Sequence, residues 1–296
     1  MNISALTRRE MMSTSARAIA GFALAAVGRS SHALQDDQSG RGFKIGVCDW
    51  SIGKTSDPSA LELAKELGLD GVQVSLGTVR NDMHLRNPDI QKAFLETAKK
   101  HDMEIASLAI GALNSVPYKS DPRAEQWVTD SIDVCAALGL KVVLLAFFDR
   151  GDLRNDEQGI NTVVERLKRV APKAERAGVT LGLETWLSAE QHLDIIDRVG
   201  SPAVQVYYDV GNSHLRGYDI YREIRSLGLE HICEFHAKDY NNLFGQGKVD
   251  FKEVRRAMDD IGYRGWIHIE GAKPLGLKES YLHDAQYLRS IFPPVA

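Results

Sequence analysis

The sequence predicts a (β/α)8 barrel, on three observations. From residue 43 onward, apolar segments with helical spacing end again and again at a Gly, and a short β-branched run follows within a few residues. Those runs are nearly all apolar, which marks strands covered on both faces and therefore parallel, with a helix carrying the chain back between them. Seven such joints plus an opening strand give eight strands, each followed by a helix, in roughly the 250 residues of a closed eight-stranded barrel. An open doubly wound sheet is the alternative. No Gly-x-Gly-x-x-Gly follows the first strand, so a dinucleotide-binding version of that sheet loses its main support.

The elements read in order as follows. Phe43 to Cys48 is the opening strand, and Pro58 after Asp57 opens the first helix, which ends at Leu67-Gly68 before Val72-Gln73-Val74. The next helix ends at His101-Asp102 before Ile105-Ala106-Ser107-Leu108, the one joint without a Gly. Leu138-Gly139 then leads to Val142 to Leu145, and Ala177-Gly178 leads to Val179-Thr180-Leu181. Ser188 with Gln191 three residues on makes a capping box for a helix that ends at Val199-Gly200 before Val204-Gln205-Val206. Leu227-Gly228 precedes Ile232, Ile261-Gly262 precedes Trp266 to Ile269, and a last helix from about Glu279 to Ile291 closes the chain. Gly suits these joints because a helix C-cap commonly needs positive φ.

Residues 1–33 lie outside this pattern and read as a signal peptide. A polar start with Arg8 and Arg9 precedes the ten-residue apolar stretch Ala18 to Val27 and the small-residue cleavage site Ser31-His32-Ala33. That stretch is far shorter than the ~20 residues a spanning helix needs, so no membrane span is expected. Thr7-Arg8-Arg9-Glu10-Met11-Met12 resembles the twin-arginine export signal. The expectation is an exported, periplasmic protein, with residues 1–33 as the signal peptide, 34–42 as a short linker and 43–296 as the barrel.

Charge narrows the partners. The net charge is −4 and no Lys/Arg block forms a phosphate-tracking stripe, which disfavours nucleic acid and anionic membranes and favours a small-molecule substrate. Nothing in the composition decides against a homo-oligomer. Cys48, Cys135 and Cys233 are odd in number and at no metal-ligand spacing, so they read as buried thiols.

Chemistry in such a barrel collects at the C-terminal ends of the strands. Strand five ends Leu183-Glu184-Thr185-Trp186, strand six Tyr208-Asp209-Val210-Gly211-Asn212, strand seven Phe235-His236-Ala237-Lys238-Asp239 and strand eight Ile269-Glu270-Gly271. Consecutive strands therefore bring Glu184, Asp209, His236 and Glu270 to one rim. Three carboxylates there repel one another unless a cation sits between them. Three oxygens and one imidazole suit one divalent ion, Mn²⁺, Mg²⁺ or Co²⁺, with Zn²⁺ also compatible.

With these motifs, and with the loop Gly245-Gln246-Gly247-Lys248-Val249-Asp250-Phe251, the chain from Phe43 onward resembles the xylose isomerase-like barrels, often described as sugar phosphate isomerases and epimerases. The resemblance implies one divalent metal held by Glu184, Asp209, His236 and Glu270, as in ketose 3-epimerases. A metal gripping a sugar carbonyl and its neighbouring hydroxyl acidifies the carbon beside them and stabilises an enediolate. Glu184 and Glu270 then serve as catalytic residues that take a proton from one face and return one to the other. The same site also suits a lyase or hydratase acting on a keto-sugar, keto-glycoside or cyclic polyol, and export leaves room for a non-catalytic sugar-binding barrel.

Substrate contacts are expected from Lys238, Asn212, Trp50, Gln73 and Asn114, with Asp49, Phe148 and Asp149 as further rim candidates. Trp50, Trp186 and Phe148 suit an apolar wall for a sugar ring. Asp239 is expected to orient His236 or Lys238. Asn212 stands where many relatives carry a His, which points to altered recognition and, with the second strand ending Gln73-Val74-Ser75-Leu76, away from a three-metal nuclease. Glu190 falls in the first turn of the helix opened by Ser188, where an acid favours the dipole, and is read as structural. No phosphate cradle is evident, so a non-phosphorylated sugar is as well matched as a sugar phosphate.

Overall fold

The computed structural model describes residues 42–294. The expectations for residues 1–33 and for all but the last of residues 34–42 lie outside that range. Within it, eight strands close in sequence order into one barrel: β1 (Lys44–Cys48), β2 (Gly71–Ser75), β3 (Glu104–Ile110), β4 (Val142–Phe147), β5 (Thr180–Thr185), β6 (Val204–Asp209), β7 (Ile232–Ala237) and β8 (Trp266–Ile269). Every adjacent pair is parallel, and β1 pairs with β8 to close the ring. The open-sheet alternative is therefore excluded. Among the described residues no helix is long and apolar enough to cross a membrane.

The outer ring consists of α1 (Ser59–Glu66), α2 (Pro88–His101), α3 (Pro122–Leu138), α4 (Glu157–Ala177), α5 (Ala189–Val199), the short α6 (Val210–Leu215), α7 (Ile220–His231), α8 (Phe251–Asp260) and α9 (Leu277–Ile291). Gly139, Gly178 and Gly200 cap α3, α4 and α5 in the left-handed conformation. At the joint without a Gly, Asp102 takes the same conformation (φ 51°), which a short polar side chain tolerates better than most. The capping box of Ser188 and Gln191 forms as read. Gly228 does not end its helix outright: the backbone turns there (φ 69°, ψ 177°) and three more residues lead into β7.

Side chains alternate along each strand, so residues two apart share the barrel interior. Asp209, His236 and Glu270 each follow by two a buried polar residue, Tyr207, Glu234 and His268. The interior thus carries a lower polar layer beneath the expected ligands, and the Tyr207 ring packs it against Ala109, Leu144, Ala146 and Cys233. Gly46 makes room for the lower layer, because a Cβ there would meet the His268 ring at 2.6 Å. The larger apolar core lies between strands and helices, where Ile45, Val47, Val72, Val74, Leu181 and Phe235 face outward and are fully buried.

Candidate metal centre and active site

Register brings the four strand-end residues to one depth. Asp209 pairs with His236 across β6 and β7, and Ala146 pairs with Glu184 across β4 and β5. Glu270 follows β8 directly, its backbone N–H donating to the carbonyl of Ala237. Glu184, Asp209, His236 and Glu270 each offer one ligand atom, and these atoms all lie within 4.8 Å of one another. Nδ1 of His236 is 3.0 Å from Oε1 of Glu184, 3.8 Å from Oε2 of Glu270 and 3.9 Å from Oδ2 of Asp209.

The donor set suits a divalent ion on two observations. Oδ2 of Asp209 is buried with no hydrogen-bond partner among the described residues, although Oδ1 accepts from the Asn212 N–H at 2.8 Å. A buried carboxylate oxygen without a donor is costly, and a cation removes that cost. The cluster also demands positive charge at its centre. Burial alone would push the His236 ring toward neutrality, but the groups hydrogen-bonded to it, the Glu184 carboxylate among them, outweigh burial and raise its proton affinity well above the imidazole range.

The carboxylates are not equivalent. Burial pushes Asp209 up to about 7; Lys238 opposes it, while Glu270 and Glu184 add to it. Burial would likewise raise Glu270, yet the Lys238 ammonium, His236 and hydrogen bonds from Lys238 and Trp50 outweigh it and hold the group at about 2. Nζ of Lys238 lies 2.7 Å from Oε2 of Glu270 and 3.7 Å from Oδ2 of Asp209, and Nε1 of Trp50 donates to Oε1 of Glu270 at 2.9 Å. These neighbours also hold Lys238 firmly in its charged form, although burial works against it.

A cavity of about 520 Å³ opens above this cluster. Glu184 and Glu270 line it, and Asp209 and His236 do not. Trp50, Asn114, Asn212 and Lys238, all expected as substrate contacts, are also on its wall. Phe148 and Trp186 pack at 5.1 Å between centroids and form the apolar side of the wall, with the guanidinium groups of Arg154 and Arg216 over the indole at 4.6 and 5.1 Å. Thr55, Ser75, Thr78 and Ser115 contribute hydroxyl-bearing side chains that the strand-end reading did not single out.

Three expectations are placed differently. Gln73 does not line the cavity: it is fully buried below His236, with Oε1 2.8 Å from Nε2 of the ring. Gln73 and Ser75 leave the same inward face of β2, but Gln73 lies one layer deeper, so Ser75 takes the wall position instead. Asp239 orients neither His236 nor Lys238. Its carboxylate accepts from the N–H groups of Lys248 and Val249 and so anchors the loop before α8. Asp49 is buried under the rim, accepting from the N–H groups of Ser56 and Ser75 and the Ser75 hydroxyl, and desolvation pushes it up to about 6. Glu190 sits exposed in the first turn of α5, away from the cavity, in keeping with its structural reading.

Cys48, by contrast, lies 3.3 Å from Nε2 of His236, on the ring edge away from the carboxylates. Burial pushes this thiol up to about 12, so it stays protonated and is not one of the clustered ligands. Sequence reasoning also missed Ser107, Tyr207, Glu234 and His268. The period-two spacing from Asp209, His236 and Glu270 back to the last three was the available signal.

Comparison with known proteins agrees with this architecture. An Escherichia coli (strain K12) protein provisionally named L-ribulose-5-phosphate 3-epimerase SgbU is 27% identical over 263 residues, covering 78% of this chain and 89% of its own length. The 2-epi-5-epi-valiolone 7-phosphate 2-epimerase of Actinoplanes sp. is 24% identical over 200 residues, covering 66% and 72%. Among solved structures, D-allulose 3-epimerase from Methylomonas sp. superposes with a TM-score of 0.69 at 15% identity, covering 85% of this chain and 98% of that one. The family model described as the xylose isomerase-like TIM barrel matches residues 61–291, from the first helix of the barrel to the end of the last, and the chain belongs to that family.

Proposed function

We propose that the protein is a divalent-metal-dependent epimerase or isomerase acting on a sugar or sugar derivative. The observation that carries this reading is the division of the ligand set: of the four clustered residues, the two glutamates line the cavity while Asp209 and His236 stay beneath it. Glu184, Asp209, His236 and Glu270 are the residues that would hold the ion, which when bound supplies Lewis-acid polarisation of a substrate carbonyl and its neighbouring hydroxyl. The names of similar proteins, SgbU and the valiolone phosphate epimerase among them, support a sugar epimerase.

The chain's own residues account for the proton traffic. One cavity-lining glutamate accepts the proton of the carbon beside the carbonyl, and the other returns a proton to the opposite face, so that configuration inverts with no net change in oxidation state. Lys238 keeps Glu270 ionised and places positive charge beside the oxygens where negative charge develops. Trp50 fixes the Glu270 carboxylate in position, and the indole of Trp186 with the ring of Phe148 offers an apolar face to the C–H side of a sugar. Asn114, whose Oδ1 accepts from the Phe148 N–H, is left with its amide N–H₂ for substrate hydroxyls.

Proton NMR in D₂O over a panel of ketoses, aldoses and 3-keto-glycosides, with Mn²⁺, Mg²⁺, Co²⁺ or Zn²⁺ added, tests the proposal. Solvent deuterium entering the substrate carbon without loss of a fragment is the expected result. Release of a fragment or of water assigns the same site to a lyase or hydratase. Absence of exchange with every sugar and metal, together with sugar binding that a chelator leaves unchanged, overturns the enzymatic reading in favour of a binding barrel.

A further inference from the structure

We propose that Gln73, Ser107 and Glu234 form a positioning relay that fixes the tautomer of His236, so that its Nδ1 presents a lone pair to the metal centre. The inference rests on the metal-centre reading above. It concerns three residues on β2, β3 and β7, none of which lines the cavity or belongs to the ligand cluster.

The direction of the chain is anchored where it meets His236, because the Cys48 thiol beside Nε2 donates to Oε1 of Gln73 at 3.6 Å and so marks that atom as the acceptor. The Ser107 hydroxyl has one hydrogen and donates it to Oε2 of Glu234 at 2.7 Å. Only lone pairs remain on Ser107 Oγ, and they accept from Nε2 of Gln73 at 3.1 Å. A carboxamide whose N–H₂ is turned to Ser107 must point its oxygen the other way, and Oε1 of Gln73 lies 2.8 Å from Nε2 of His236. An amide oxygen can only accept, so the hydrogen of the neutral ring sits on Nε2. The lone pair is then on Nδ1, the atom that faces Glu184, Asp209 and Glu270.

Burial makes the relay decisive. Gln73, Ser107 and His236 are fully buried and Glu234 is 4% exposed, so water offers no alternative partner and reversing any one amide or hydroxyl would leave donors facing donors. A His partner of this kind, placed opposite the metal-binding nitrogen, orients the ring and sets its ligand strength. Here the immediate partner is a neutral amide rather than a carboxylate. The centre therefore keeps the charge of its three carboxylates alone, and the acid at the far end of the relay acts only through the direction of the hydrogen bonds.

Calorimetric titration of the metal-stripped full chain with Mn²⁺ tests the relay. Ser107→Ala, which touches no ligand, is expected to weaken Mn²⁺ by about 10-fold or more, and Gln73→Leu by about 10- to 100-fold. Gln73→Glu keeps an acceptor opposite Nε2 and is expected to hold Mn²⁺ within about threefold of wild type, a rescue that loss of packing alone would not produce. Thermal melts of the metal-free variants identify any that fail to fold; if Ser107→Ala is one, the size-matched Gln73→Leu and Gln73→Glu pair decides the matter. Wild-type-like Mn²⁺ affinity in the Leu variant, or equal weakening in the Leu and Glu variants, overturns the relay and leaves the metal centre standing. A wild type that binds none of Mn²⁺, Mg²⁺, Co²⁺ or Zn²⁺ overturns the metal centre, and the relay with it.

Discussion

Nζ of Lys238 lies 2.7 Å from Oε2 of Glu270, so the cation on the cavity wall is committed to one of the two glutamates that face the substrate space. Glu184 has a different neighbour, the His236 ring at 3.0 Å. The two candidate proton carriers are thereby made chemically distinct by partners two residues apart on β7 and its extension.

Glu270→Gln preserves size and an oxygen donor but cannot accept a proton at neutral pH. It is expected to retain much of its metal while deuterium exchange at the substrate carbon falls by about 10²- to 10⁴-fold. Asp209→Ala removes a buried carboxylate of the proposed ligand set that does not line the cavity, and is expected to lose metal and substrate binding together. Elemental analysis beside the exchange rate reads both. Exchange at the wild-type rate in Glu270→Gln would pass the role of base to Lys238 or to a hydroxide.

Lys238→Met removes the charge that outweighs burial at Glu270, whose carboxyl is held at about 2. A depressed carboxyl stays ionised until the pH falls to its own pKa, so wild type should keep its base form through the mildly acidic range. Without Lys238, only His236 and the Trp50 hydrogen bond oppose burial, and the acid limb of kcat/KM should move up by at least about one pH unit. A pH profile whose acid limb coincides with that of wild type would show that Lys238 does not set Glu270.

Asp49 makes a stability prediction. Its folded value of about 6 lies above the unfolded 3.8, so the folded state holds this proton more tightly and the associated stability is lost as pH rises through that window. About two pKa units correspond to about 3 kcal/mol. Asp49→Asn can still accept from the N–H groups of Ser56 and Ser75 through its amide oxygen, while the Ser75 hydroxyl turns to accept from the amide nitrogen. Its denaturant midpoint should change less than that of wild type between pH values below and above the window, whereas Asp49→Ala, which strands three donors, should be destabilised at every pH. Parallel pH dependence in wild type and Asp49→Asn would exclude Asp49 as the titrating group.

Export is a separate proposal, carried by Arg8 and Arg9 in the sequence. Replacing both with Lys in the full chain is expected to leave the protein in the cytoplasmic fraction, where wild type reaches the periplasm. Immunoblots of the two fractions decide it, and equal periplasmic yields would sink the twin-arginine reading.

The barrel and the four-residue cluster were legible in the sequence for one physical reason. Strand and helix periodicity are local, and in a parallel barrel the residue that ends each strand is carried to the same rim as its neighbours'. Reading Glu184, Asp209, His236 and Glu270 at four successive strand ends was therefore a statement about local order that closure of the sheet made three-dimensional. The Gly-less joint at Asp102 was legible as an irregularity, and its left-handed φ supplies the reason.

Partnership within the rim was not legible. Gln73 and Asp239 read as rim residues from their positions, yet one turned inward under His236 and the other toward its own loop. The relay from Glu234 joins residues 127 and 34 positions apart before it reaches His236, and Cys48 meets that ring across 188. Sequence spacing fixes which face of a strand a side chain leaves from. The depth at which it stops, and the donor it meets there, depend on the stagger between strands and on how side chains from opposite walls fill one closed interior, which only the folded barrel decides.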